Sequence, residues 1–151
     1  MPLIYRSELP NGLIALWKID EGETELRSLC TPQERIYASE RLTTGNRRKE
    51  WLAWHALLHE TTPQAETGYD SNGAPVLKSG EYIGVSHTKG YAAVIIAKTP
   101  CAVDIELRNR NFLKAAPKYL SPDERQRFGT EGDLPGKIWC AKETLYKWAR
   151  I

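Results

Sequence analysis

Cysteine is scarce in this chain. Cys30, Cys101 and Cys140 are an odd number with no C-x-x-C spacing, which argues against a disulfide framework or a zinc site and for a reducing compartment. Long apolar runs are missing too, and none approaches the ~20 residues of a membrane span. The opening Met1-Pro-Leu-Ile-Tyr-Arg6 has no charged region followed by an apolar core, so no signal peptide is expected and the expected location is cytoplasmic. Charge of one sign is lacking as well. Lys and Arg number 21 against 19 Asp and Glu, a formal +2, so bulk electrostatics favour no particular partner. A duplex-binding protein would show a larger basic excess, and neither nucleic acid nor membrane is expected as a partner.

What is present is 151 residues, 41% of them hydrophobic, enough to bury one core. Arg41, Arg47, Arg48 and Lys49 fall within nine positions. Such a run is usually a solvated helix face, but it could equally hold an anion.

The apolar run Leu13–Lys18 after Asn11-Gly12 reads as a buried strand. Thr31-Pro-Gln-Glu34 is a helix start, with Thr31 as N-cap and Glu34 closing a capping box, and that helix is expected to run toward Gly45. A second helix is expected from about Arg47 to His59, with a broad apolar stripe from Trp51 to Leu58, ended by Thr62-Pro63. Asp70 to Pro75 is a turn by its residue types. Glu81–Thr88 and Tyr91–Ala97 form an antiparallel hairpin joined at Lys89-Gly90. Ser121-Pro-Asp-Glu124 is another capped start, with Gly129 as its stop. A loop is expected over 132–136, followed by a helix containing Trp139.

Thr31-Pro-Gln-Glu-Arg35 parallels Ser121-Pro-Asp-Glu-Arg125 ninety positions later, and Lys49-Glu50 more loosely parallels Lys142-Glu143. Short apolar strands are expected ahead of each, at Leu13 and at Ala102. The order predicts two related α+β units, over 1–98 and 99–151. The first continues into the hairpin, whereas the second reaches Ile151 inside a helix, so the second half is expected to be incomplete.

Val103, Ile105 and Leu107 alternate with Asp104 and Glu106, the period-two pattern of a strand with one apolar and one acidic face. Two residues along a strand rise roughly 6.6 Å, so an Asp and a longer Glu can bend toward one point, as a hard divalent cation would require. Glu143 and Lys147 share a helix face at i,i+4. Taken singly, such an acid pair or Lys-Glu pair is ordinarily a solvated surface. Three acids and a lysine from two elements would make a phosphate-handling site.

Gly84-Val-Ser86-His87-Thr88, then Val103-Asp104-Ile105-Glu106, then Trp139-x-x-Lys142-Glu143-x-x-x-Lys147 resemble the three ordered motifs of the 4′-phosphopantetheinyl transferases. The resemblance is to their larger, pseudo-symmetric type and runs from about Arg47 onward. It implies a pseudo-duplicated α+β fold and transfer of the phosphopantetheine arm of coenzyme A to a serine of an apo carrier protein, acyl or peptidyl. Adenosine 3′,5′-bisphosphate is released, the activity of a holo-acyl-carrier-protein synthase. The resemblance also implies Mg²⁺ held by Asp104, Glu106 and Glu143, with Glu143 the base for the serine proton. Lys142 and Lys147 would lie near the phosphates, Lys147 placed to assist the leaving group. Arg47 (or its neighbour Arg48), Ser86, His87 and Thr88 would contact coenzyme A, His87 at the 3′-phosphate. His55 and His59 are expected to be structural, and Phe112–Phe128 to be carrier-protein interface or core. Gly73-Ala74-Pro75 departs from the family's Gly-Lys-Pro, and Lys78 or Arg41 could supply the missing cation. Self-association through the incomplete half is a further expectation.

Two rival readings stand beside this one. A remnant could bind coenzyme A or a carrier protein without catalysis. A metal-dependent nuclease would want Lys where Arg108 follows Glu106, together with a more basic surface.

Overall fold

In a computed structural model, which describes residues 3–150, the chain is α+β. Seven-residue strands β1 (Leu3–Leu9) and β2 (Gly12–Lys18) form a hairpin. Helices α1 (Glu23–Ser28), α2 (Pro32–Arg41) and α3 (Gly45–Thr61) follow. Short strands β3 (Thr67–Tyr69) and β4 (Pro75–Leu77) flank the expected turn. The expected hairpin is β5 (Tyr82–Thr88) and β6 (Tyr91–Ala97). Helices α4 (Phe112–Tyr119), α5 (Pro122–Phe128) and α6 (Leu134–Ala149) come last.

The main sheet is antiparallel in the order β1-β2-β6-β5. β6 pairs on both sides, which explains its nearly continuous apolar sequence Tyr91–Ala97. The helix α3 lies against β6, β2 and β5. Leu52, Ala53, Trp54, His55, Ala56, Leu57 and Leu58 are all buried, so the expected stripe widens to the full circumference where α1 and α2 also cover the helix. Trp17, Leu26, Ile83, Val94 and Ile96 complete this core. Val103, Ala116 and Leu120 are buried apart from it.

Both capping boxes form. The Thr31 hydroxyl accepts from the Glu34 N–H while the Thr31 N–H donates to the Glu34 carboxylate; Ser121 and Glu124 repeat the arrangement. Gly129 caps α5 as expected. α2 stops at Arg41, well short of Gly45, and α6 begins at Leu134, inside the expected loop.

One expectation is overturned. Val103–Leu107 is extended, but it is not a strand. Strand identity comes from a backbone ladder, and among the described residues no strand offers one. The Ile105 N–H donates instead to a side chain, the Ser86 hydroxyl, at 3.1 Å.

Candidate functional site

β5 is the edge of the main sheet, and the acidic segment runs along it in a fixed register. Ser86 Oγ donates to Asp104 Oδ1 at 3.3 Å and Thr88 Oγ1 donates to Glu106 Oε2 at 3.3 Å. A Cβ on Gly84 would stand 3.0 Å from Ala102 Cα and 3.3 Å from Val103 N. All three relations link residues eighteen positions apart, so 102–106 follows 84–88 in the same direction. The period-two alternation of both stretches matches two hydroxyls to two carboxylates. Gly84 allows the approach, since a side chain there would also meet Ile95 Cγ2 at 2.8 Å.

The two carboxylates are mostly buried, their side chains 7% exposed for Asp104 and 17% for Glu106. Each has its own cation. Lys147 Nζ donates to Asp104 Oδ1 at 2.6 Å and to the Val103 carbonyl at 3.2 Å. Arg110 Nη1 pairs with Glu106 Oε1. Asp104 Oδ2 is buried with no hydrogen-bond partner. Burial, and then the Asp104 carboxylate, push the neighbouring Cys140 thiol up to about 12, so it stays protonated.

Glu143 and Lys147 line a cleft of about 960 Å³ together with Gly84, Ala102 and Val103, and the Asn72–Pro75 turn and Arg150 also border it. Arg150 closes one end by pairing with Asp70. Lys142 lies on another face of α6, where Nζ reaches the Tyr119 carbonyl at 2.5 Å and Glu124 at 2.8 Å. The structure therefore brings Asp104, Glu106 and Lys147 together with Ser86 and Thr88, with Glu143 one helical turn before Lys147 on the lining of the cleft. Lys142 is not among them. Among the described residues no three acidic, His or Cys side chains cluster closely enough to hold an ion, so Asp104, Glu106 and Glu143 are not gathered as one ligand set.

The expected grouping of Ser86, His87 and Thr88 is split. Alternation along β5 sends His87 to the other face, where Nδ1 lies 3.3 Å from Glu50 of α3. On α3, Arg47, Glu50 and Trp51 fall at i, i+3 and i+4 and share a face. Arg47 is exposed, and Trp51 Nε1 donates to the Tyr69 hydroxyl at 2.6 Å. Arg48, by contrast, is committed to the fold through Glu23 at 3.0 Å and the Leu42 carbonyl at 3.0 Å. Lys78 pairs with Glu66 on the surface.

His55 and His59 are structural, as expected. The Trp51 carbonyl can only accept, so His55 Nδ1 carries the proton and donates to it at 2.8 Å. Burial lowers this histidine to about 4. His59 Nε2 contacts both Glu34 oxygens at 2.8 and 2.9 Å. Burial pushes Glu34 up, but the His59 ring and the Thr31 N–H outweigh it and hold the carboxyl below its ordinary 4.5.

Arg110 had no part in the sequence reading. Its only signal was its position four residues after Glu106, a spacing that argues for a pair only on a helix. Here a turn supplies the geometry, with the Arg110 N–H donating to the Leu107 carbonyl at 3.1 Å.

The family model described as the 4′-phosphopantetheinyl transferase superfamily matches residues 100–150. The match covers about a third of the chain and two of the three motifs, the acid pair and the Lys-Glu helix, so this stretch is similar to transferases of phosphopantetheine; Gly84–Thr88 lies outside it. No curated protein matches the chain.

Proposed function

We propose that this chain moves the 4′-phosphopantetheine arm of coenzyme A onto a serine of an apo carrier protein, with Mg²⁺, releasing adenosine 3′,5′-bisphosphate. The observation that carries the reading is the register of Asp104 and Glu106 on Ser86 and Thr88, which leaves Asp104 Oδ2 buried and without a partner. An oxygen in that state is costly unless a donor or cation meets it. Carboxylates and hydroxyls are the donor set a hard divalent ion takes, so the residues present fit Mg²⁺.

Asp104 and Glu106 would hold the ion, with Glu143 joining from α6. When bound, it offsets the charge that grows on the non-bridging and leaving oxygens during attack at phosphorus. Glu143 accepts the serine proton. Lys147 exchanges its hold on Asp104 for the diphosphate. Arg47, at the exposed start of α3, and His87 of β5, beside Glu50 of that helix, take the 3′-phosphate, and Lys142 braces α5 against α6. The paired capping boxes at Thr31 and Ser121 support a pseudo-duplicated fold, with related units over 1–98 and 99–151.

Incubation with coenzyme A, Mg²⁺ and an apo carrier protein should raise the carrier's intact mass by one phosphopantetheine. The placement of Lys142 on Glu124, and the lack of a three-acid group among the described residues, favour a second reading, a coenzyme A or carrier-protein binder without catalysis. Saturable binding with no change in carrier mass would decide for it. His87→Ala should weaken coenzyme A binding about tenfold or more and leave dephospho-coenzyme A, which lacks the 3′-phosphate, unaffected. Equal losses for both ligands would contradict the role given to His87.

A further inference from the structure

We infer that Arg110 is a built-in counter-ion of the acidic site, which competes with a divalent cation for Glu106 and so keeps the affinity for a free cation low. This rests on the proposed cation site at Asp104 and Glu106. Arg110 is a positioning residue, since it acts on the site through Glu106.

Two mostly buried carboxylates face each other's surroundings with two side-chain cations already in place, Lys147 on Asp104 and Arg110 on Glu106. The four charges cancel. A divalent ion entering this set leaves a local excess of two positive charges unless a cation withdraws or an anionic substrate arrives with it. Glu106 can give only one oxygen while Arg110 holds the other, because Thr88 donates to Oε2 and Arg110 to Oε1.

Arg110 has somewhere to remain once it lets go. Its guanidinium lies 4.8 Å from the Trp139 ring centroid and 5.7 Å from that of Phe112, an aromatic shelf that favours a cation independently of the carboxylate. The shelf is fixed from below. Trp139 meets Tyr119 edge-on at 5.1 Å, and the Tyr119 hydroxyl lies 3.2 Å from the Phe112 and Pro135 carbonyls. The Phe112 ring fits against α6 only because residue 136 is glycine, where a Cβ would stand 2.7 Å from it. Retreat from Glu106 therefore costs Arg110 one contact and leaves the stacking in place.

The sign of the effect separates this role from a purely structural one. A bracing residue, when removed, weakens cation binding; a competing charge, when removed, strengthens it. Mn²⁺ alone is titrated into the full chain at low salt, with free Mn²⁺ read by electron paramagnetic resonance. Wild type should bind one Mn²⁺ that Asp104→Asn abolishes. Arg110→Gln and Arg110→Met, the second keeping an aliphatic stem on Trp139, should bind it roughly three- to tenfold more tightly, a gain that shrinks as salt is added. Arg110→Lys should stay near wild type. Binding unchanged or weakened in both neutral variants, with wild type still bound through Asp104, overturns the role of Arg110 and leaves the cation site standing. Mn²⁺ binding indifferent to Asp104→Asn overturns both.

Discussion

Single residues set the pH behaviour of this fold. His55 is neutral when folded, since burial lowers it to about 4 against an ordinary 6.5. Between those values the unfolded chain takes up a proton that the folded chain refuses, so stability falls as pH drops through that window, by about 3 kcal/mol in all. Glu34 adds to this further down, because a lowered carboxyl contributes stability that is lost as pH falls below 4.5 and on through its folded value. Chemical denaturation from pH 7 to pH 4 should show the loss beginning near 6.5, and His55→Gln should flatten that upper part. An unchanged slope in the variant would mean His55 is not the group titrating. At the site, Glu106→Ala should cut transfer by at least about a hundredfold with little change in melting temperature, since among the described residues Thr88 and Arg110 are the only side chains it bonds. Unfolding of this variant would assign the acid pair to the fold.

Among the elements, what could be seen in the sequence followed a simple physical division. Signals confined to a few neighbours were legible: both capping boxes, the β5–β6 hairpin, the apolar α3 and the stop at Gly129. Elements defined by distant partners were not. β1 carries mostly exposed or half-buried residues and exists because β2 pairs with it. α1 is six residues long, and α4 contains Pro117, which hid it behind a helix-breaking residue. Val103–Leu107 had the alternation of a strand, but alternation describes side chains and not a ladder, so it kept the extended shape without the pairing. The same alternation brought Asp104 and Glu106 to one side as read, and separated His87 from Ser86 and Thr88, which the motif resemblance groups as coenzyme A contacts. The closeness of that segment to β5 depends on Gly84. Gly84→Ala should destabilise the protein by about 1–3 kcal/mol and loosen the acid pair, seen as faster amide exchange at Ile105, whose N–H is held by Ser86. Unaltered exchange at Ile105 would show that the segment is held from elsewhere.

At the scale of the molecule, two bodies of unequal solidity meet at the site. The sheet with α1, α2 and α3 holds the main core, while α6 buries only Pro135 and leaves Leu145, Tyr146 and Trp148 more than half exposed. α6, which bears Glu143, is thus the less anchored of the two. The acid pair and the Lys-Glu helix were legible as a motif; the bond from Lys147 to Asp104 was not, since it depends on how α6 packs. The most direct test is a crystal soaked with Mn²⁺ and coenzyme A, with the ion located by its anomalous signal. The expected result is a peak bonded to the carboxylates of Asp104 and Glu106, with Glu143 drawn to it and a coenzyme A phosphate completing the shell. A peak bonded to neither carboxylate, with coenzyme A bound elsewhere, would contradict it.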